Sequence, residues 1–370
     1  MGKENSIVAN ALALRSTGQM HGLTDQNRMI HRNGISGAFL RVAATAAFLM
    51  LVGCGYGSGG GDTAPVPPPL WNGAPVADWM ANVPNNTPIS LLGIPGTHDT
   101  GTYNQGSWAW GGWVKTQERS ILDQLERGIR FLDIRGRLIG DTLAIHHGSV
   151  YLGLTFQDVI DVCRQFLQQH PTETILMNLG DEYEHDSTST YHQVFLKYYN
   201  NNRYLDDTHT RELWELGTTI PTLGSVRGKI VLIRSFALDP PATALGIEVP
   251  GGQNSAYYSH QFSANPEQTL YIENLWTPAD CDNAYTDKAN AIAANTGRKQ
   301  FDRSQDHLYM TFTSGTGGSG WCYKTPRNFA DAINPWLVTA LQPKLGPVGI
   351  VAMDFPGDDL IGRIIDSNNY

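Results

Sequence analysis

Eight short apolar runs, separated by helical or long polar connections, limit what this chain can fold into. They span 89–94, 129–134, 143–147, 174–179, 229–234, 269–273, 307–313 and 348–354. Each has the length and apolar character of a short buried strand. Two intervals carry clear helix signals. In 155–170, Phe156, Val159, Ile160, Cys163, Phe166 and Leu167 recur at helical spacing, Thr155 and Asp158 cap the start, and Pro171 ends it. In 120–127, Ser120 and Asp123 open a helix whose apolar face is Ile121, Leu122 and Leu125, and Gly128 stops it. Weaker helices are expected over 187–199, 329–341 and 359–367. Alternation of this kind predicts an α/β fold, a single (β/α)8 barrel with some irregularity.

Such barrels bind ligands at the C-terminal ends of their strands. The chemistry-bearing residues here gather at those ends: His98 and Asp99 after the first run, Asp133 and Arg135 at the second, His146 and His147 at the third. Glu182, Arg234, Glu273 and Asp354 follow at later ones. Histidine serves as acid and as base near neutral pH, and arginine offers a fixed planar cation to a phosphoryl group. The net charge of -9 argues against nucleic acid as a partner. Of the nine tryptophans, Trp108, Trp110 and Trp113 stand among glycines and Trp321 in a similar loop, which suits a membrane–water interface as well as a core.

The segment ahead of the barrel reads as an export signal and a tether. The first 28 residues show little periodicity and are expected to be untranslated or removed in the native protein. Arg32 and Arg41 precede an apolar run over 42–52, too short to span a bilayer, which ends in Leu51-Val52-Gly53-Cys54. That ending resembles a bacterial lipobox, whose cysteine is lipidated. The expected layout is a leader over 1–53, a Gly- and Pro-rich tether over 54–70 that starts at lipidated Cys54, and a catalytic domain over 71–370. The expected location is an outer membrane or cell surface, or the medium. Four cysteines without zinc spacing give no metal site, Cys163 faces a core, and Cys281 and Cys322 are candidates for a bridge in an oxidising compartment.

Three stretches together, 94–101, 131–137 and 146–148, resemble the X-type catalytic domain of bacterial phosphatidylinositol-specific phospholipases C. The likeness continues through 171–175, 227–231 and Asp354, and covers roughly 81–365, more loosely over 237–306. It implies an irregular barrel that cleaves phosphatidylinositol to diacylglycerol and a cyclic inositol phosphate at a membrane surface, as a monomer and without a cofactor or metal. By this resemblance His98 is the base, His147 the acid and Arg135 the phosphate clamp, Asp354 orients His98, and Asp99 assists the acid. Glu182, Arg234, Glu273, Trp276 and Asp133 then line the inositol pocket. One departure stands out: Gly180 occupies a position where bacterial relatives carry lysine. The rival readings are a metal-dependent glycerophosphodiester phosphodiesterase, which would need clustered carboxylates where Arg135 stands, and a surface lipoprotein that binds inositol lipids or glycans without turnover.

Overall fold

The computed structural model describes residues 76–106, 112–317, 323–342 and 345–368. Parallel staves make up most of its sheet: β1 (Gly93–Thr97), β2 (Phe131–Ile139), β5 (Ile175–Asp181), β7 (Ile230–Ser235), β10 (Asn265–Asn274), β11 (His307–Phe312) and β12 (Gly349–Met353). Their hydrogen-bonded order is β7-β5-β2-β1-β12-β11-β10. Strands buried on both faces lose the period of two and read as unbroken apolar runs. Ile175, Leu176, Met177 and Leu179 of β5 and Ile230 to Ile233 of β7 do so, all fully buried.

The remaining strands depart from an eight-fold repeat. β3 (Thr142–His147) and β4 (Val150–Thr155) are antiparallel additions to β2. The run at 143–147, expected as a barrel stave, is therefore a flap. Only Gly140 and Asp141 separate β2 from β3, and a parallel return needs a crossover of a dozen residues or more. Gly140, at φ 56°, supplies the left-handed backbone that so tight a hairpin turn demands. The eighth stave is instead split: β6 (Trp214–Glu215) pairs with the lower half of β7 and β8 (Ile247–Glu248) with its upper half. At the other end of the sheet, β9 (Ser255–Phe262) forms a hairpin with β10.

Among the described residues no ladder closes the sheet between β8 and β9. Side chains bridge that gap. Glu248 accepts the Ser263 backbone N–H (3.3 Å) and lies 3.5 Å from His260 Nε2. The barrel is thus open in its backbone and laced by one carboxylate.

Helices cover the outside: α1 (Ile121–Glu126), α2 (Phe156–Gln169), α3 (Tyr191–Asn201), α4 (Leu223–Val226), α5 (Ala284–Phe301), α6 (Pro326–Ala340) and α7 (Asp358–Asp366). Thr155 and Asp158 form the expected capping box on α2, and Cys163 is buried, with burial pushing its thiol up. The first apolar run divides, a 3₁₀ turn over Ile89–Leu91 preceding β1. α5, the longest helix, escapes hydrophobic periodicity because its buried face includes Lys288, Asn295, Thr296 and Lys299.

The floor of the barrel is held by a buried ion pair. Arg130, just before β2, donates through Nε to Glu173 (2.9 Å), and Nη1 donates to the carbonyls of Leu125 and Ile129 (both 2.7 Å). Its guanidinium stacks on Phe166 of α2 at 4.6 Å. Both partners are fully buried, so removing one leaves an uncompensated charge. Glu173→Ala is expected to destabilise the domain by about 3–5 kcal/mol in chemical denaturation. A loss below 1 kcal/mol would show that the pair is dispensable.

Candidate active site

The central staves converge on one carboxylate. β1 ends at Thr97, and His98 continues its ladder by donating N–H to the Met353 carbonyl (3.0 Å). The chain then turns through Asp99, whose backbone is left-handed at φ 43°, a conformation aspartate tolerates. The turn brings two successive side chains together: His98 Nε2 lies 3.2 Å from Asp99 Oδ2. His98 Nδ1 donates to Asp354 Oδ1 (2.8 Å), just past β12. That bond fixes the imidazole's tautomer, leaving Nε2 toward the lumen.

β2 and its flap supply the other side. Arg135 Nε lies 3.1 Å from Asp99 Oδ1. Its Nε and Nη2 also donate to Asp133 Oδ2 (3.1 and 2.9 Å). His147, at the end of β3, donates from Nδ1 to the Val114 carbonyl (3.0 Å) and places Nε2 3.5 Å from Asp99 Oδ2. Both imidazoles therefore aim Nε2 at one carboxylate oxygen, and the guanidinium holds the other. His146, the neighbour of His147, is buried against Tyr151, and burial pushes its imidazole down.

Charge balance follows from this packing. Burial alone would raise Asp99, but Arg135, His147 and His98 outweigh it and hold the carboxyl below its usual range. Burial likewise opposes a charged His98, yet Asp99 and Asp354 win and raise its pKa above 6.5. Burial raises Asp354 against the pull of His98. Arg135 is half-buried, and its partial desolvation is outweighed by Asp133, Asp99 and Glu182, which push its pKa further up, so it stays a cation. His98, Asp99 and Asp133 offer ligand atoms within 4.8 Å of one another, the spacing of a metal site. The guanidinium already engages both carboxylates of that group.

Other predicted residues divide. Glu182 lies at the rim, where Oε1 accepts the Gly148 N–H of the flap's turn (2.7 Å). Asp133 is buried rather than offered to a ligand: besides Arg135, it accepts Asn178 Nδ2 (2.8 Å) and the Asp99 N–H (3.2 Å). Two residues expected in the pocket are elsewhere. Arg234 falls on the opposite face of β7 from the lumen. Its guanidinium donates to the carbonyls of Leu245 (2.9 Å) and Phe236 and lies 3.7 Å from Glu248. Glu273 is fully buried against α5, its carboxylate 2.8 Å from the Lys288 ammonium. In both cases the strand's period of two sends the side chain outward.

Trp276 is half-buried on the segment after β10, and its carbonyl accepts the Thr316 N–H (2.6 Å). Trp113 is half-buried and makes an edge-to-face pair with exposed Tyr323 at 5.1 Å. Trp108, Trp110, Trp321, Cys54 and the whole expected leader and tether lie outside the described residues. Cys281 is disulfide-bonded, and Cys322, its expected partner, also lies outside them.

Sequence reasoning missed Asn178 and Ser235. Asn178 Oδ1 accepts the Ser235 hydroxyl (2.8 Å), extending the Arg135–Asp133 network across β5 to β7. Parity gives the signal: Asn178 pairs in register with Asp133, and Ser235 with Gly180, which itself pairs with Arg135. Gln117 was also missed; it clamps the site from below by donating to the carbonyls of His98 (2.8 Å) and Met353 (2.9 Å).

Residues 92–235 match the family described as phosphatidylinositol-specific phospholipase C, X domain. The 1-phosphatidylinositol phosphodiesterase of Listeria monocytogenes is 31% identical over 309 residues, covering 82% of this chain and 88% of that protein. Its counterpart from Staphylococcus aureus strain Newman is 29% identical over 302 residues, covering 79% and 94%. In structure, a double mutant of the phosphatidylinositol-specific phospholipase C from S. aureus superposes with a TM-score of 0.69 at 27% identity, over 79% of this chain and 96% of that one. The Listeria enzyme gives 0.58 at 27% identity, over 80% and 99%. Those relatives are barrels of the TIM type, and the open barrel described above is of that kind. From the match to the Listeria protein along most of both lengths, the chain belongs to the bacterial phosphatidylinositol-specific phospholipase C family.

Proposed function

We propose that this protein cleaves the phosphodiester of phosphatidylinositol, releasing diacylglycerol and inositol 1,2-cyclic phosphate, by acid–base catalysis with two histidines and an arginine. The observation that carries the reading is the shared Asp99 carboxylate, with His98 and His147 Nε2 at 3.2 and 3.5 Å from one oxygen and Arg135 Nε at 3.1 Å from the other. In-line displacement needs a base and an acid on either side of phosphorus and a cation over the equatorial oxygens. His98 takes the proton of the inositol 2-hydroxyl, which attacks phosphorus, and Asp354 stabilises the imidazolium that forms. His147 protonates the departing glycerol oxygen. Arg135 balances the phosphoryl charge. Water opens the cyclic product in a slower second reaction.

No metal is invoked. A divalent ion on His98, Asp99 and Asp133 would sit beside the Arg135 guanidinium, and two such charges ~4 Å apart repel by several kcal/mol at an effective dielectric of about 20. A metal-dependent glycerophosphodiesterase is disfavoured for the same reason, and a binding-only lipoprotein has no use for a paired acid and base. We also propose that lipid attached at Cys54, together with Trp113, holds the enzyme at a membrane surface. The sequence before the domain supports the anchor.

Four outcomes test this reading. Assayed on phosphatidylinositol, His98→Ala and His147→Ala are each expected to lose about 10²- to 10⁴-fold in kcat, and His146→Ala far less. Because Asp99 and Asp354 together raise the His98 pKa, the acid limb of kcat/KM lies above pH 6.5 in the wild type and moves to lower pH in Asp354→Asn. A limb unmoved by that substitution would remove His98 as the base. Activity should survive EDTA, while Arg135→Lys falls ~10²-fold or more, since ammonium lacks the planar two-point contact. Loss of wild-type turnover on chelation would favour the metal-dependent alternative. Mass spectrometry of the mature N-terminus should find a diacylglyceryl group on Cys54; an unlipidated start elsewhere would reject the anchor.

A further inference from the structure

The wall that β5 and β7 give to the lumen has a hydrogen-bond order that is fully determined. It starts at the Arg135 guanidinium, a permanent donor, which binds Asp133 Oδ2. Asp133 is an acceptor only, so the Asn178 group 2.8 Å from its Oδ1 is the amide Nδ2. That choice turns the Asn178 carbonyl toward Ser235. The Ser235 hydroxyl must then spend its one proton on Oδ1, at 2.8 Å. Only lone pairs of Ser235 remain for anything in the lumen. Ser235 is half-buried, so they are within reach of a ligand.

Between this hydroxyl and the guanidinium lies Gly180. A Cβ placed there would meet Arg135 Cγ and Ser235 Cβ at 3.9 Å, ordinary contact distances. Packing does not demand glycine at this position, and its backbone is not left-handed. The floor between the cation and the serine is simply bare. Arg135 and Ser235 stand two strand spacings apart, about 10 Å, room for a six-membered ring with its phosphate at one end. Arg234, the charged residue next in sequence, faces the other way and adds nothing here.

We propose that Ser235 is a specificity-determining contact for the head group: an obligate acceptor, oriented by Asn178, that takes the proton of one hydroxyl of the cyclitol ring when the phosphate rests on Arg135. Asn178 is a positioning residue, acting through Ser235. The proposal rests on the phosphatidylinositol reading above. Head-group recognition on this wall is by neutral hydrogen bonds rather than by charge, so each contact carries a modest factor.

The test compares Ser235→Ala and Ser235→Thr with wild type, using phosphatidylinositol in detergent micelles for kinetics and free myo-inositol and inorganic phosphate for binding by NMR. Ser235→Ala is expected to raise KM about 3- to 10-fold, the worth of one neutral hydrogen bond, with the loss carried by KM and the acid limb in place. Its affinity for myo-inositol falls by a similar factor and its affinity for phosphate does not. Ser235→Thr, which keeps the hydroxyl, restores most of both. A merely structural serine would instead move kcat with KM and gain nothing from threonine. An unchanged KM in Ser235→Ala, or equal myo-inositol affinity in Ser235→Ala and wild type, including none in either, overturns the assignment. Failure of the wild type to cleave phosphatidylinositol would reject the proposed reaction alone, and the myo-inositol comparison would still decide the role of Ser235.

Discussion

The site depends on keeping one buried carboxylate ionised. Asp99 is 2% exposed, and an isolated aspartate in that position would take up a proton rather than carry charge. Arg135 prevents this, and Asp133 in turn holds Arg135 in the orientation that does it. With Asp99 charged, two imidazoles gather on its second oxygen. Asp99, Asp133 and Asp354 bring three potential negative charges against one guanidinium, so the cluster favours adding a proton to a histidine. Asp99 and Asp354 accordingly raise the His98 pKa. An arriving phosphodiester adds one more negative charge and favours an imidazolium further, which is what the acid partner requires.

Sheet order explains why an open barrel supports this chemistry. The hydrogen-bonded path runs from β6 through β7, β5, β2, β1, β12, β11 and β10 to β9, and β1 is its middle strand. His98 follows β1, Asp354 follows β12, and Arg135 lies on β2. The base, its orienting carboxylate and the phosphate clamp therefore sit on or just past the three strands farthest from the break, and the acid His147 on the flap paired to β2. The edge that lacks a ladder is bridged by Glu248, His260 and Ser263, on the far side of the sheet path from the acid–base pair. The buried Arg130–Glu173 pair fixes the base of β2 and β5 from below.

Much of this was legible in the sequence, and the exceptions share a cause. Buried parallel strands announce themselves as apolar runs, and caps such as Thr155–Asp158 mark helix starts, so the seven parallel staves and α2 follow directly, while their order in the sheet does not. Runs of this kind carry no parity, however. Nothing in 229–234 tells whether Arg234 or the next residue enters the lumen, and the charged residue was the wrong choice. Glu273 fails in the same way: it belongs to a buried polar interface with Lys288, and that interface also hid α5 from hydrophobic periodicity. Residues 98, 99 and 354 were readable because they lie just past the strand ends, where turns rather than pleats aim the side chains.

The flap shows how a wrong topological count leaves the chemistry untouched. Counting β3 as a stave predicts that its C-terminal end reaches the rim, and as an antiparallel flap on β2 it arrives there too, because β2 runs beyond the barrel before turning back. What the topology does decide is which histidine enters. Adjacent residues of a strand face opposite sides, so a slip of one residue would exchange His146 for His147. The pairing of Arg137 with Ala144 and of Gly136 with Ile145 fixes that choice. It places Ile145 against the turn after Asp99, close to Gly101, and His147 on the same side. The hairpin turn at Gly140 and Asp141 therefore acts at a distance as a catalytic constraint: lengthening it by one residue would carry His147 away from Asp99 and bring a buried, weakly basic imidazole in its place.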